Sequence, residues 1–200
     1  MMGILFSVKC ECEGGQAMRV SQAEKDRSHA RIVDSAARLL RERGVENTSV
    51  TDVMSDAGLT HGGFYRHFDS KDALTAAAVQ AAFDQFLRPL EDRIAAGDSD
   101  AALAQFRTLY LSQGHVEHAG MGCPVPSLAS EIGRAGPALK DAFGAGVRRS
   151  IAALAAGAGD TSPDGMAAAA REFAMLAGAV MLARAAGQQT AHDILAACKT

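Results

Sequence analysis

Residues 58–74, GLTHGGFYRHFDSKDAL, place a short aromatic and basic helix directly after a tight turn. Ser49 to Ala57 reads as another short helix, and Gly58-Leu59 is all that separates the two. Two helices joined by a short glycine-containing turn make a helix-turn-helix, whose second helix enters the DNA major groove. Ser49 and Asp52 have the spacing of a capping box, in which the hydroxyl accepts a helix-start N–H and the carboxylate reaches back. Val50, Val53, Met54 and Ala57 are expected to face inward. Gly58 closes this helix and Thr60 caps the next, which runs from His61 to Phe68. Phe64 and Phe68, four apart, anchor the second helix and turn His61, Gly62, Gly63, Tyr65, Arg66 and His67 outward.

That outward set suits a DNA-reading face. Gly62 and Gly63 remove side-chain bulk, so a helix N-terminus can approach phosphates or base edges closely. Two glycines in a helix otherwise cost about 1 kcal/mol each, and close approach explains why they are tolerated. Tyr65 and Lys71 can bond phosphates, while Arg66 or His61 can reach guanine acceptors. The alternative for Tyr65 and His67 is packing against neighbouring helices.

Upstream, Ile32, Val33, Ala36, Leu39 and Leu40 recur at helical spacing, predicting one helix from about Gln22 to Arg43 with Gly44 as its left-handed cap. Residues 19–45 carry seven Arg/Lys against four acids in a chain of net charge −3. A locally basic end on an acidic chain suits a DNA-facing head, although a solvated helix face would look the same. Apolar residues make up 48% of the 200 residues, alanine is abundant and tryptophan absent, so an all-α fold is expected. Residues 1–20 are expected to be a disordered extension, with Met18 an alternative start, followed by a DNA-binding domain over 21–70 and a helical body over 71–200. No apolar run near the roughly 18 residues of a membrane span is evident. The start lacks a signal-peptide pattern, which makes the cytoplasm the expected location. Cys10, Cys12, Cys123 and Cys198 show no zinc-binding spacing, and no cofactor or metal is expected.

The first helix ending in Arg43-Gly44, the run TSVTDVMSDAGLTHGG and the run FYRHFDSKDAL together resemble the N-terminal DNA-binding domain of the TetR/AcrR family of bacterial transcriptional regulators. The resemblance covers roughly residues 28–85. It implies that Thr51, Thr60, His61, Gly62, Gly63, Tyr65, His67 and Lys71 contact DNA. Members commonly have Lys at the position of His61 and a small polar residue at that of Gly63, differences that bear on the operator sequence.

Past residue 74 the pattern is helical but less specific. A long helix runs from Ser70 to about Arg93, where Pro89 should kink or end it. Further helices are expected at about 100–113, 126–133, 137–156 and 163–186, with a loop at 114–124. Thr190 and Asp193 have capping-box spacing for a terminal helix. The helix at 163–186 is apolar around most of its circumference and must be buried, in the core or against another chain. The resemblance implies a homodimer built on the last two helices, with Phe173, Leu176, Ala177, Val180, Ile194 and Leu195 as the dimerisation set. A symmetric pair also matches paired half-sites on a palindromic operator.

An effector cavity in the body would draw on Phe83, Phe106, Tyr110, His115, Cys123, Phe143, Phe173 and Met181, although residues of this kind are also ordinary core. Cys123 precedes Pro124 at a helix start, where the dipole would lower its thiol pKa and make it reactive. A buried inert cysteine is the alternative. No nucleophile elbow, zinc helix or phosphate-cradling loop appears, so an enzyme is not expected. The expectation is therefore a dimeric, ligand-responsive regulator, most simply a repressor released by a small apolar or electrophilic effector. A thiol-based redox or electrophile sensor acting through Cys123 is the alternative.

Overall fold

A computed structural model describes residues 14–199, with side chains from Gln22 onward. Cys10 and Cys12 lie outside the described residues. Helix α1 spans Gly14–Arg43 and so opens before the expected Gln22. Residues 14–20 are helical instead of part of a disordered extension, because neither glycine nor proline interrupts 16–43. The helix stops at Gly44, whose φ of +83° is left-handed. The Glu131 carboxylate occupies the space a Cβ would need there and accepts from Val45 N at 2.6 Å.

Helix α2 (Val50–Asp56) carries the expected capping box: Asp52 N donates to Ser49 Oγ, and Ser49 N donates to the Asp52 carboxylate. Gly58, at φ +68°, turns the chain into a short six-residue segment at His61–Arg66. Helix α3 (Lys71–Ala95) starts where Ser70 Oγ accepts from Ala73 N. It continues past Pro89 to Ala95, so the proline does not end it. Pro89 is exposed, while Leu87 and Leu90 are buried and anchor the helix on both sides of it.

The body adds α4 (Ser99–Tyr110), α5 (Gln113–Glu117), α6 (Pro124–Ile132), α7 (Pro137–Gly157), α8 (Pro163–Ala185) and α9 (Gln188–Ala197). The expected loop at 114–124 instead holds α5 and a 3-10 turn at Ala119–Met121, because Ser112 Oγ caps His115 N. Helix α9 begins at Gln188, which leaves Thr190 inside its first turn and without a capping box. Gln189 engages the Asp193 carboxylate instead, at 2.9 Å.

Two apolar cores meet along α3. The first joins Ile32, Leu39 and Leu40 of α1 to Met54, Phe64 and Phe68, then to Val79, Phe83 and Leu87 of α3 and Leu128 of α6. The second joins Leu90, Tyr110, Leu154, Phe173, Leu176, Val180 and Leu195. Because α3 contributes to both, no break in packing falls at the expected 70/71 boundary. Helix α8, unlike the sequence expectation, is long and apolar enough to cross a membrane by length and composition alone. Here it is a body helix, with Phe173, Leu176 and Val180 in the core and Glu172 paired to Arg107 of α4 at 2.5 Å.

The junction of α3 and α7 is set by Gly146, where an added Cβ would strike the Phe83 ring. Replacing Gly146 with valine should lower stability by about 1–3 kcal/mol through overpacking, read as a reduced midpoint in urea unfolding. A variant as stable as wild type would show that this contact does not limit the helix separation.

Candidate DNA-reading face and effector cavity

The segment after the turn is a 3-10 helix at His61–Arg66, shorter and tighter than the expected two-turn α-helix to Phe68. Two successive glycines give α-helical hydrogen bonding little support, and the turn is held by Gly63 N to Thr60 O at 3.0 Å and His67 N to Phe64 O at 2.9 Å. Thr60 takes the N-cap position without a side-chain cap bond. Phe64 and Phe68 are buried, with ring centroids 6.0 Å apart, and His29 of α1 stacks on Phe68 at 4.7 Å. That anchoring leaves Tyr65 72% exposed. His61, Gly62, Arg66, Thr51, Thr60 and Lys71 are exposed on the same part of the molecule, and Gly63 is half-buried. A Cβ on Gly62 would meet open space. Thr51 Oγ1 lies 3.3 Å from His61 Nδ1, tying α2 to the turn, and Lys71 Nζ donates to Val45 O at 3.1 Å.

His67 departs from the outward set. It is half-buried, its Nδ1 is buried without a hydrogen-bond partner, and its ring lies 6.0 Å from that of His29. Burial, followed by the nearby His29, Lys25 and Arg66 charges, holds its pKa below the ordinary histidine value. The aromatic register that buries Phe64 and Phe68 carries His67 toward α1 rather than into open space.

A cavity of about 570 Å³ lies between α3, α4, α5 and the 3-10 turn at Ala119–Met121. Phe86, Leu90, Phe106, Leu109 and Tyr110 supply its apolar walls, and Gln85, Arg93, Gln105, His115 and His118 its polar ones. Phe86 is the hub, 5.5 Å from Phe106 and from Tyr110 and stacked 5.7 Å from His115. Of the expected residues, Phe106, Tyr110 and His115 line this space. Phe83 and Phe143 do not: they pair at 5.6 Å in the first core, beside Gly146. Phe173 packs behind Tyr110, and Met181 points outward at 47% exposure. Sequence reasoning missed Gln85, Phe86 and Leu90, although with Pro89 and Arg93 they form one face of α3 at spacings of one, four, five and eight.

His115 is a pin in the cavity wall. Cys123 N donates to its Nε2 at 2.9 Å, so the ring proton sits on Nδ1 and is donated to Tyr110 O at 2.7 Å. Burial keeps this ring neutral and its pKa below the ordinary value. Cys123 itself is fully buried outside the cavity lining. Its place at the start of α6 was expected to acidify the thiol, but burial outweighs the helix dipole and pushes the pKa up to about 11.

The family profile described as bacterial regulatory proteins, tetR family, matches residues 32–78, which run from α1 through the exposed turn into α3. The transcriptional repressor KstR2 of Rhodococcus jostii is 36% identical over 73 residues, 36% of each chain. Over this N-terminal stretch the chain matches the TetR family of bacterial regulatory proteins. The curated relatives it resembles are matched over little more than a third of their length, 36% for the first two. The fold likeness extends to the body. The reduced form of E. coli NemR shares the fold at TM-score 0.71 and 19% identity, covering 86% of this chain and 95% of that one. A TetR regulator of Chloroflexus aurantiacus does so at TM-score 0.68 and 25% identity, covering 88% and 92%.

The cavity is wired to the head through Arg41 of α1, which is 5% exposed. Its guanidinium donates to Ala37 O at 2.9 Å, Gly122 O at 3.0 Å and Gln85 Oε1 at 2.7 Å. Gln85 and Gly122 both line the cavity. Gln85 also donates to Asp34 of α1 at 2.9 Å. Farther out on α1, Arg38 pairs with Asp56 of α2 at 2.5 Å, carrying the connection to the helix-turn-helix.

The expected dimerisation residues mostly pack inside the chain itself. Phe173, Leu176, Ala177, Val180 and Leu195 are buried in the protomer's own body, and Ile194 is half-buried. One face of α8 is spent on that core, so the free apolar stripe is the next one round the helix: Met175, Gly178, Met181 and Leu182.

Tyr65→Ala should weaken binding to duplex DNA by about tenfold or more with only a small drop in melting temperature, since the ring is 72% exposed and meets the core through its edge contact with Phe64 at 5.2 Å. Unchanged affinity in fluorescence anisotropy would remove Tyr65 from the contact set. A second prediction concerns acid stability. His115 and His67 have folded pKa values below the unfolded one, so the unfolded chain binds more protons as pH drops. Their stabilising contribution is complete above the ordinary value of 6.5 and declines below it. Urea unfolding between pH 7.5 and 5 should show this loss, and His115→Gln should start less stable but with a shallower slope. An equal slope in the variant would assign the acid sensitivity elsewhere.

Proposed function

We propose that this chain is a homodimeric transcriptional repressor of the bacterial cytoplasm that holds a palindromic operator and releases it when a small molecule enters the body cavity. The observation carrying this reading is the exposed Tyr65 turn, clamped from behind by Phe64 and Phe68, with Gly62 open to close approach. Thr51, Thr60, His61, Gly62, Gly63, Tyr65, Arg66 and Lys71 form the DNA-contacting set, and His67 positions the turn from the α1 side. A second copy of the chain covers Met175, Met181 and Leu182 of α8, which brings two heads into fixed register for two half-sites.

Release works through Arg41. A buried cation held only by neutral acceptors is sensitive to the loss of any one of them. An occupant that draws Gln85 away, or displaces the Gly122 strand of the wall, alters the seat of α1 and the spacing of the paired heads. The ligand acts by binding one head spacing better than the other. A thiol-sensing version gains no support from Cys123, which is fully buried and protonated.

The test uses the full chain and duplexes selected from a random library. Affinity should fall by about a thousandfold between roughly 50 and 200 mM salt, as phosphate contacts release counterions. Replacing Met181 and Leu182 together by glutamate should give a folded monomer, by light scattering and circular dichroism, with operator affinity lost. A folded wild-type dimer that selects no duplex would end the repressor reading. A double variant that stays dimeric would move the interface off α8.

A further inference from the structure

The end of the cavity formed by Gly122 and His115 is bracketed by two guanidiniums, buried Arg41 and half-buried Arg184. Arg41 donates to Gly122 O and Gln85 Oε1 from the head side. From the body side, Arg184 of α8 donates to His115 O at 2.7 Å, Val116 O at 3.2 Å and Ser127 Oγ at 2.8 Å. A Cβ at Gly122 would strike the His115 ring, with Arg184 Nη2 next at 3.4 Å. Each cation therefore sits one residue behind the cavity wall.

Among the described residues, neither arginine has a carboxylate within ion-pair distance, whereas Arg38, Arg93, Arg107 and Arg149 all do. The residues lining the cavity include no aspartate or glutamate. Burial has lowered the pKa of Arg41 to about 10 and that of Arg184 below its ordinary value, as expected of cations drawn from water without a directly paired carboxylate. Both remain protonated near neutral pH. An apolar cavity with two positive charges behind one wall, neither in a direct ion pair, holds a positive potential that low-dielectric surroundings screen poorly.

We infer that the effector is an amphipathic organic anion, with a ring or acyl body among Phe86, Phe106 and Leu109 and its acidic group turned toward Gly122 and His115. The inference rests on the cavity being the effector site. It also explains release: an anion at that end attracts Arg41 away from Gly122 O and Gln85, which are the bonds joining cavity to head.

The experiment titrates two fluorescent probes sharing one ring system, anilinonaphthalene sulfonate, a fixed anion, and neutral phenylnaphthylamine, into the full-length dimer. Arg41→Met and Arg184→Met, each read separately, should lower the anion's affinity relative to the neutral probe by about tenfold. Arg41→Lys and Arg184→Lys should restore most of the ratio, which a purely structural role for either arginine would not do. Melting curves identify any variant that fails to fold, and the other arginine then carries the comparison. Leu109→Trp, which fills the cavity, should weaken both probes. A ratio unmoved by either methionine variant, with the neutral probe still blocked by Leu109→Trp, overturns the anion inference and leaves the cavity standing. If neither probe binds, or Leu109→Trp affects neither, the cavity reading falls and takes the inference with it.

Discussion

A guanidinium buried between three elements governs how this molecule is joined. Arg41 leaves α1 and is satisfied by its own helix, by α3 and by the chain just before α6. A charge removed from water is tolerated only where its hydrogen bonds are made, so those three acceptors must stay in place together. That requirement fixes the wall of the cavity against the helix that carries the head. It makes the interior of the body and the outer face of the helix-turn-helix parts of one arrangement, connected further through Arg38 and Asp56.

The head solves a different problem, that of presenting a short turn rigidly to a partner. Two glycines cannot stabilise a helix of that length, and the isolated segment would be a poor helix former. Burial of Phe64 and Phe68 against α1 supplies the order that local hydrogen bonds lack, and the ring of His29 closes over Phe68. Exposure of Tyr65 follows directly from that register. The same clamp explains why His67, adjacent to Phe68, is drawn inward with an unpartnered nitrogen.

Helix α8 shows how a single element serves two surfaces. Its composition is apolar nearly all round, which alone does not say which face meets the core. Tertiary packing assigns Phe173, Leu176 and Val180 to the protomer and leaves Met175, Met181 and Leu182 outside. An exposed apolar stripe of this kind marks an interaction surface. Its place at the end of the body, away from the Tyr65 turn in sequence, suits a pair of chains that present two heads together.

Local chemistry in the sequence was enough for the helix-turn-helix: the capping box at Ser49 and Asp52, the left-handed glycines at 44 and 58, and the four-residue spacing of Phe64 and Phe68 are all interactions between near neighbours in the chain. The all-helical class followed for the same reason, since periodicity and propensity act over one or two turns. The cavity was only partly legible. Phe106, Tyr110 and His115 line it, but to a pattern that sees apolar residues at helical intervals they look like Phe83, Phe143, Phe173, Cys123 and Met181, which do not. Which of them faces a void depends on how α3, α4 and α5 rotate against each other, and that is settled by contacts such as Phe83 on Gly146, made across 63 positions of sequence. Arg41 and Arg184 carried no signal at all, because a buried charge is recognised only by the absence of water and of a carboxylate around it, and both are properties of the assembled interior.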